Sequence, residues 1–117
     1  MELIKAVHLY KALQEIKDEK LPFRTTHAIV MLLRNLEPHV HFYMDKEKEL
    51  IKQYAKEIQD GKYTVSKDQI DEFTRQKQEL DTIEVEEELP KISLPDDLKI
   101  SPVALNALLD ILEDEES

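Results

Sequence analysis

Apolar residues along this chain fall into runs of helical period broken by short polar links. Leu3, Ala6, Val7, Tyr10, Leu13 and Ile16 recur at spacings of three and four, which predicts an amphipathic helix over about 2–17. Lys17-Asp-Glu-Lys20 is a polar connector, and Pro22 suits the first turn of a second helix, where its missing N–H costs nothing. From there Ile29, Leu33, Leu36, Val40, Tyr43, Ile51, Tyr54 and Ile58 keep the same period, with Glu47 as the polar member of the stripe. The register predicts a helix over about 22–60 ending at the chain's single glycine, Gly61, placed where a C-cap would want it. It does not slip at Pro38, which favours one long helix kinked there over two helices joined near Glu37.

Beyond Gly61 the pattern weakens. Ser66-Lys-Asp-Gln69 reads as a capping box that opens a third helix of about 66–81, with Ile70, Phe73 and Leu80 as a thin apolar stripe. Ile83-Glu-Val85-Glu alternates in the manner of a strand, and Leu89, Ile92 and Leu94 continue an interrupted version of the pattern past Pro90. A strand cannot stand alone, so the region of about 83–94 is expected either to fold into a hairpin-like pair or to pair with another chain. Ser101-Pro102 is an N-cap followed by proline at the first helical position, opening a short C-terminal helix of about 102–113. Its acidic end, 113–117, is expected to fray because anions are disfavoured at a helix C-terminus. The fold class expected is mainly α with a minor β element, built on a long antiparallel helical hairpin. The 117 residues are read as one domain.

Charge changes this picture in one respect. The formal net charge of −10 is uneven: residues 1–82 hold 15 acidic and 14 basic side chains, whereas residues 83–117 hold 11 acidic and 2 basic ones, Lys91 and Lys99. Such a surface repels phosphate, so neither direct nucleic-acid binding nor an anionic membrane is expected. With no cysteine and one glycine, the chain has neither thiolate chemistry nor a glycine-rich phosphate loop. The first residues, MELIKAVHLYKALQEIK, carry charges and no long apolar run, and are expected to be neither a signal peptide nor a membrane span.

Candidate chemistry concentrates in EPHVHFYMD, residues 37–45. On a strand, His39 and His41 would share a face, but on a helix they diverge by about 200° and cannot share an ion. Glu37, His41 and Asp45 stack at spacings of four; the metal or acid/base reading of that trio lacks a fourth ligand, and a solvated face is the reading preferred. His39 is expected at the edge of the apolar stripe as a partly buried structural residue. His8 and His27 lie on different helices and could approach each other if those helices pack antiparallel. No serine sits in a nucleophile elbow, and no calcium loop is present. No catalytic, cofactor-binding or metal residue is therefore assigned. Glu84, Glu86, Glu88, Asp96 and Asp97 remain as candidate contacts for a partner, either an assembly partner or a host protein deceived by DNA-like charge.

Taken together, Leu21-Pro22, Leu36-Glu37-Pro38, Glu49-Leu-Ile-x-x-Tyr54, and Glu84-Val85-Glu86 ahead of Ile100-Ser101-Pro102 resemble a group of small proteins of tailed bacteriophages and prophages of Gram-positive bacteria. The resemblance spans nearly the whole chain. One departure is the run Ala55 to Gly61, where the group would have a glycine nearer Tyr54. The group has no established activity, so the resemblance implies an origin and a location in the bacterial host cytoplasm or on the virion. The function expected is a non-enzymatic accessory protein acting through protein–protein contacts in particle assembly, with homo-oligomers possible and no cofactor. The alternative is an acidic inhibitor of a host defence or nucleic-acid-binding protein, and the least favoured is a metal enzyme centred on Glu37 and His41.

Overall fold

The computed structural model describes residues 1–59 and 61–113, with backbone alone for 57–59. Its elements in chain order are α1 (Leu3–Ile16), α2 (Phe23–Tyr54), β1 (Ala55–Gln59), β2 (Lys62–Val65), α3 (Ile70–Asp81), α4 (Pro102–Leu108) and a closing 3₁₀ turn, Leu109–Ile111. The expected class holds: four helices and a small two-stranded antiparallel sheet. At about 1.5 Å per residue the 32 residues of α2 reach roughly 48 Å, which accounts for most of the 53 Å long axis of the molecule.

α1 is the centre of the core. It buries Leu3, Ala6, Val7, Leu9, Ala12, Leu13 and Ile16, more than one stripe, because α2 and α4 both pack against it. α2 contributes Ile29, Leu32, Leu36, Val40 and Tyr43 from one face, and α3 packs mainly on the second half of α2. α2 runs through Pro38 without interruption, as the register predicts. Pro38 lies on the exposed side, where the Arg34 carbonyl it leaves without a helical donor can be hydrated.

The differences from expectation share a cause: backbone groups are satisfied by partners distant in sequence. α2 ends at Tyr54, not near residue 60, because Ala55–Gln59 turns extended and pairs antiparallel with Lys62–Val65. Ala55 stands opposite Val65 and Glu57 opposite Tyr63, with a register shift between Glu57 and Gln59. Gly61, at φ +76°, serves the link between the strands and not a helix C-cap; this is a conformation glycine adopts without steric cost. The capping box does not form. The Ser66 carbonyl accepts from the Gln69 N–H at 3.1 Å in a turn, and α3 starts at Ile70 with no side-chain cap. Ser101 does cap α4, its hydroxyl accepting from the Ala104 N–H at 3.2 Å. α4 gives way to the 3₁₀ turn after Leu108, and the frayed tail expected over 113–117 lies, past Glu113, outside the described residues.

The region of 83–94 forms no strand of its own; it is an extended strap pinned to the helical body at isolated points. The Leu3 N–H donates to the Ile83 carbonyl and the Val85 N–H to the Met1 carbonyl, each at 2.8 Å. Further on, the Ile92 N–H donates to the Ile111 carbonyl at 2.7 Å, and the Glu113 N–H to the Ile92 carbonyl at 2.9 Å. The Thr25 hydroxyl, buried on α2, donates to the Ser93 carbonyl at 3.1 Å. Val85 and Ile92 are the apolar anchors, both buried. The region thus pairs within the chain, with residues 1–3 at the start of α1 and residues 111–113 after α4.

Candidate functional site

Polar side chains converge most closely between α2 and α3. The buried Tyr43 hydroxyl donates to Asp81 Oδ1 at 2.7 Å, and Lys77 Nζ donates to the same Asp81 oxygen at 2.8 Å and to the Tyr43 hydroxyl. Glu47 stands 3.5 Å from Lys77, whose ammonium also lies 4.8 Å from the Tyr43 ring centroid. Burial opposes the charge on Lys77, but the hydrogen bonds to Asp81 and Tyr43 outweigh it and push the ammonium above its ordinary 10.5. Burial, reinforced by Asp81 against the opposing pull of Lys77, pushes the Tyr43 phenol above 10.0. With Lys77 and Asp81 on α3 both bonded to Tyr43 on α2, this cluster clamps the two helices together. Nearer the hairpin, Tyr54 and Phe73 meet edge to face with centroids 6.1 Å apart, and Gln76 donates to the Tyr54 hydroxyl at 3.0 Å.

The EPHVHFYMD residues separate as helical geometry requires. His39 is partly buried and reaches the strap, its Nε2 3.1 Å from Glu87 Oε1. His41 stands 3.7 Å from Glu37 on the exposed side, and Asp45 is exposed. Among the described residues, no group of three or more His, Asp or Glu is arranged to hold a metal ion. His8 lines a groove between α1 and α4, whereas His27 is exposed on α2.

The five acidic contact candidates do not form one surface of equal standing. Glu84 Oε1 lies 2.6 Å from the Met1 amine, so its charge is partly spent inside the molecule. Glu86 and Glu88 are exposed on the strap, and Asp96 and Asp97 are exposed in the turn beyond it. Glu87, from the same carboxylate run, is the one drawn to His39.

The surface feature that sequence reasoning missed is the groove of about 910 Å³ between α1 and α4. Its apolar lining comes from Leu9 and Ala12 on α1, Val103 and Ala107 on α4, with Leu109 and the strap's Leu89. Val103 is 81% exposed and Leu109 56%, so the rim is open apolar surface. Leu108 and Ile111, by contrast, are fully buried. α4 and its 3₁₀ turn hold more large apolar side chains than their core face can take, and that excess is the signal the sequence offered. Polar residues edge the groove: Lys5, His8, Lys11 and Glu15 along α1, and Asn106 and Asp110 along α4. α4 runs antiparallel to α1, since the Ser101 hydroxyl lies 3.1 Å from Glu15 while Met1 and Ile111 share the other end.

Compared with protein-family models, curated proteins and solved structures, the chain matches none. Among the described residues, no helix is long and apolar enough to cross a membrane.

Proposed function

We propose that this chain is a non-enzymatic accessory protein of a tailed bacteriophage or prophage, acting through protein–protein contacts in particle assembly. The observation that carries the contact reading is the α1–α4 groove, an apolar trough with a charged edge. Exposed apolar surface gathered in one place, and rimmed by polar groups, is the common physical mark of a protein contact. The polar clusters support the non-enzymatic part, because Tyr43, Lys77 and Asp81 are engaged with one another. The phage origin rests on the resemblance of the segments alone. The charge-mimic alternative draws less support, since Glu84 and Glu87 are both engaged within the molecule.

Affinity capture from phage-infected cells, run in parallel with the wild-type chain and with Ala107→Glu, tests this reading. Ala107 is half-buried in the groove wall and packs on the edge of the core, so circular dichroism of the variant separates a lost contact from a lost fold. A virion structural protein retained by the wild type and lost from the variant, with circular dichroism unchanged, is the expected result. A host nuclease or repressor retained equally by both chains would overturn it in favour of charge mimicry.

A further inference from the structure

Charge around the groove is not symmetric. Lys5, His8 and Lys11 follow one another at spacings of three on α1, all exposed and all on the groove side. The α4 side lines the groove with Asn106 and Asp110, and Lys91 of the strap donates to the Asp110 carbonyl at 2.7 Å. Residues 1–82 are nearly balanced and the net acidity lies in 83–117, so Lys5 and Lys11 beside the trough give its α1 edge a local positive sign. That edge attracts an acidic group.

Length and openness limit what fits. From Lys5 to Glu15 the α1 wall rises roughly 15 Å, about three helical turns. Small-molecule pockets enclose most of their ligand, commonly 70–90% of its surface. A trough with Val103 and Leu109 protruding at its edge leaves a small ligand open to water but suits a rod-shaped occupant laid along it. We infer that the α1–α4 groove binds an amphipathic helix of about three turns from a partner protein, with its apolar stripe on the trough and an acidic flank against Lys5, His8 and Lys11.

This inference rests on the reading of the chain as a protein-contact module and specifies the contact. The occupant's apolar side chains at i, i+4 and i+7 lie against the exposed Val103 and Leu109 and the half-buried Ala107 and Leu89. Its acidic flank lies toward α1, and its other flank, facing Asp110 and Lys91, is neutral. Glu15, at the far end of the basic row, sets the limit of the acidic run.

The test uses hydrocarbon-stapled helical peptides of about twelve residues with one leucine stripe and a flank of Glu, Gln or Lys, followed by fluorescence anisotropy on the full chain. The Glu-flanked peptide is expected to bind at least tenfold more tightly than the Lys-flanked one at low salt. That margin should shrink as salt rises past the Debye screening range. Lys5→Glu with Lys11→Glu should reverse the preference, and Ala107→Glu should weaken all three peptides. Equal binding of the three peptides would overturn the charge assignment while leaving the contact reading standing. No binding by any, binding unaffected by Ala107→Glu, or preferential filling of the groove by octyl glucoside below its micelle concentration would overturn the helix assignment. Loss of partner capture by Ala107→Glu decides the contact reading separately.

Discussion

Lys77→Met keeps the length and apolar stem of the side chain while removing the charge at the centre of the α2–α3 clamp. In the native protein the ammonium bonds Asp81 at 2.8 Å and the Tyr43 hydroxyl, and stands 3.5 Å from Glu47. In the variant, Asp81 keeps the Tyr43 hydroxyl at its present 2.7 Å but loses its counter-charge, and Glu47 loses its nearest cation. Fully exposed pairs contribute about 0–1 kcal/mol and breaking a fully buried one costs about 3–5 kcal/mol. With Lys77 and Asp81 each 27% exposed, a cost of about 2 kcal/mol is expected, discounted for that solvent contact. For a chain of this size that lowers Tm by roughly 8 °C. Urea unfolding of wild type and variant at pH 8 and at about pH 11.5 adds a sharper check. Lys77 holds its proton above 10.5 in the folded state, so its contribution is fully present below pH 10.5 and is lost as pH rises through the folded value. The Lys77 part of the gap between the two chains should therefore shrink over that interval, while the Tyr43 phenol, raised further once Lys77 no longer pulls it down, acts in the opposite direction. A gap below about 0.5 kcal/mol at pH 8 would refute the clamp reasoning.

Other parts of the fold give simpler expectations. Leu36→Ala empties a fully buried position on α2 and should cost about 3 kcal/mol in urea unfolding, with no change in helix content below the transition. Pro38→Ala restores an N–H to the middle of an uninterrupted helix and should raise stability by about 1–3 kcal/mol; destabilisation would mean that the proline's shape is required by its neighbours. Gly61→Ala meets no atom within 4 Å of the added methyl, so its cost is the positive φ alone, about 1 kcal/mol, seen as faster amide exchange confined to residues 55–65. Ser101→Ala removes the α4 cap and should cost about 1 kcal/mol while loosening the groove's α4 wall in the same exchange experiment.

What the sequence conveyed and what it concealed divide by the range of the interactions. α1 and α2 were legible because their three-and-four spacing is written locally, and because Leu36 and Val40 hold register across Pro38. The end of α2 was not legible. Ala55 to Ile58 extends the helical register, and only the Lys62–Val65 strand, returning through Gly61, makes the extended form preferable. Alternation over 83–94 did not become a strand. Val85 and Ile92, seven residues apart and so out of phase for a strand, are the buried anchors of a strap whose N–H and carbonyl groups pair with residues 1–3 and 111–113, not with a strand beside it. His39 was placed correctly at the edge of the stripe; its partner Glu87 could not be, since a separation of 48 residues leaves no local trace. The groove depends on how α4 rolls against α1, burying Leu108 and Ile111 and leaving Val103 and Leu109 outside, which no periodicity of seven residues can decide.

The central claim is that partners meet this chain at the α1–α4 groove. Photo-cross-linking in phage-infected cells tests it most directly, with benzoylphenylalanine placed singly at Lys11 in the groove, at Glu88 on the acidic strap and at Lys62 in the hairpin. The account predicts a discrete cross-linked partner from position 11 and none from the other two. Cross-links from position 88 or 62 with silence at position 11 would contradict it.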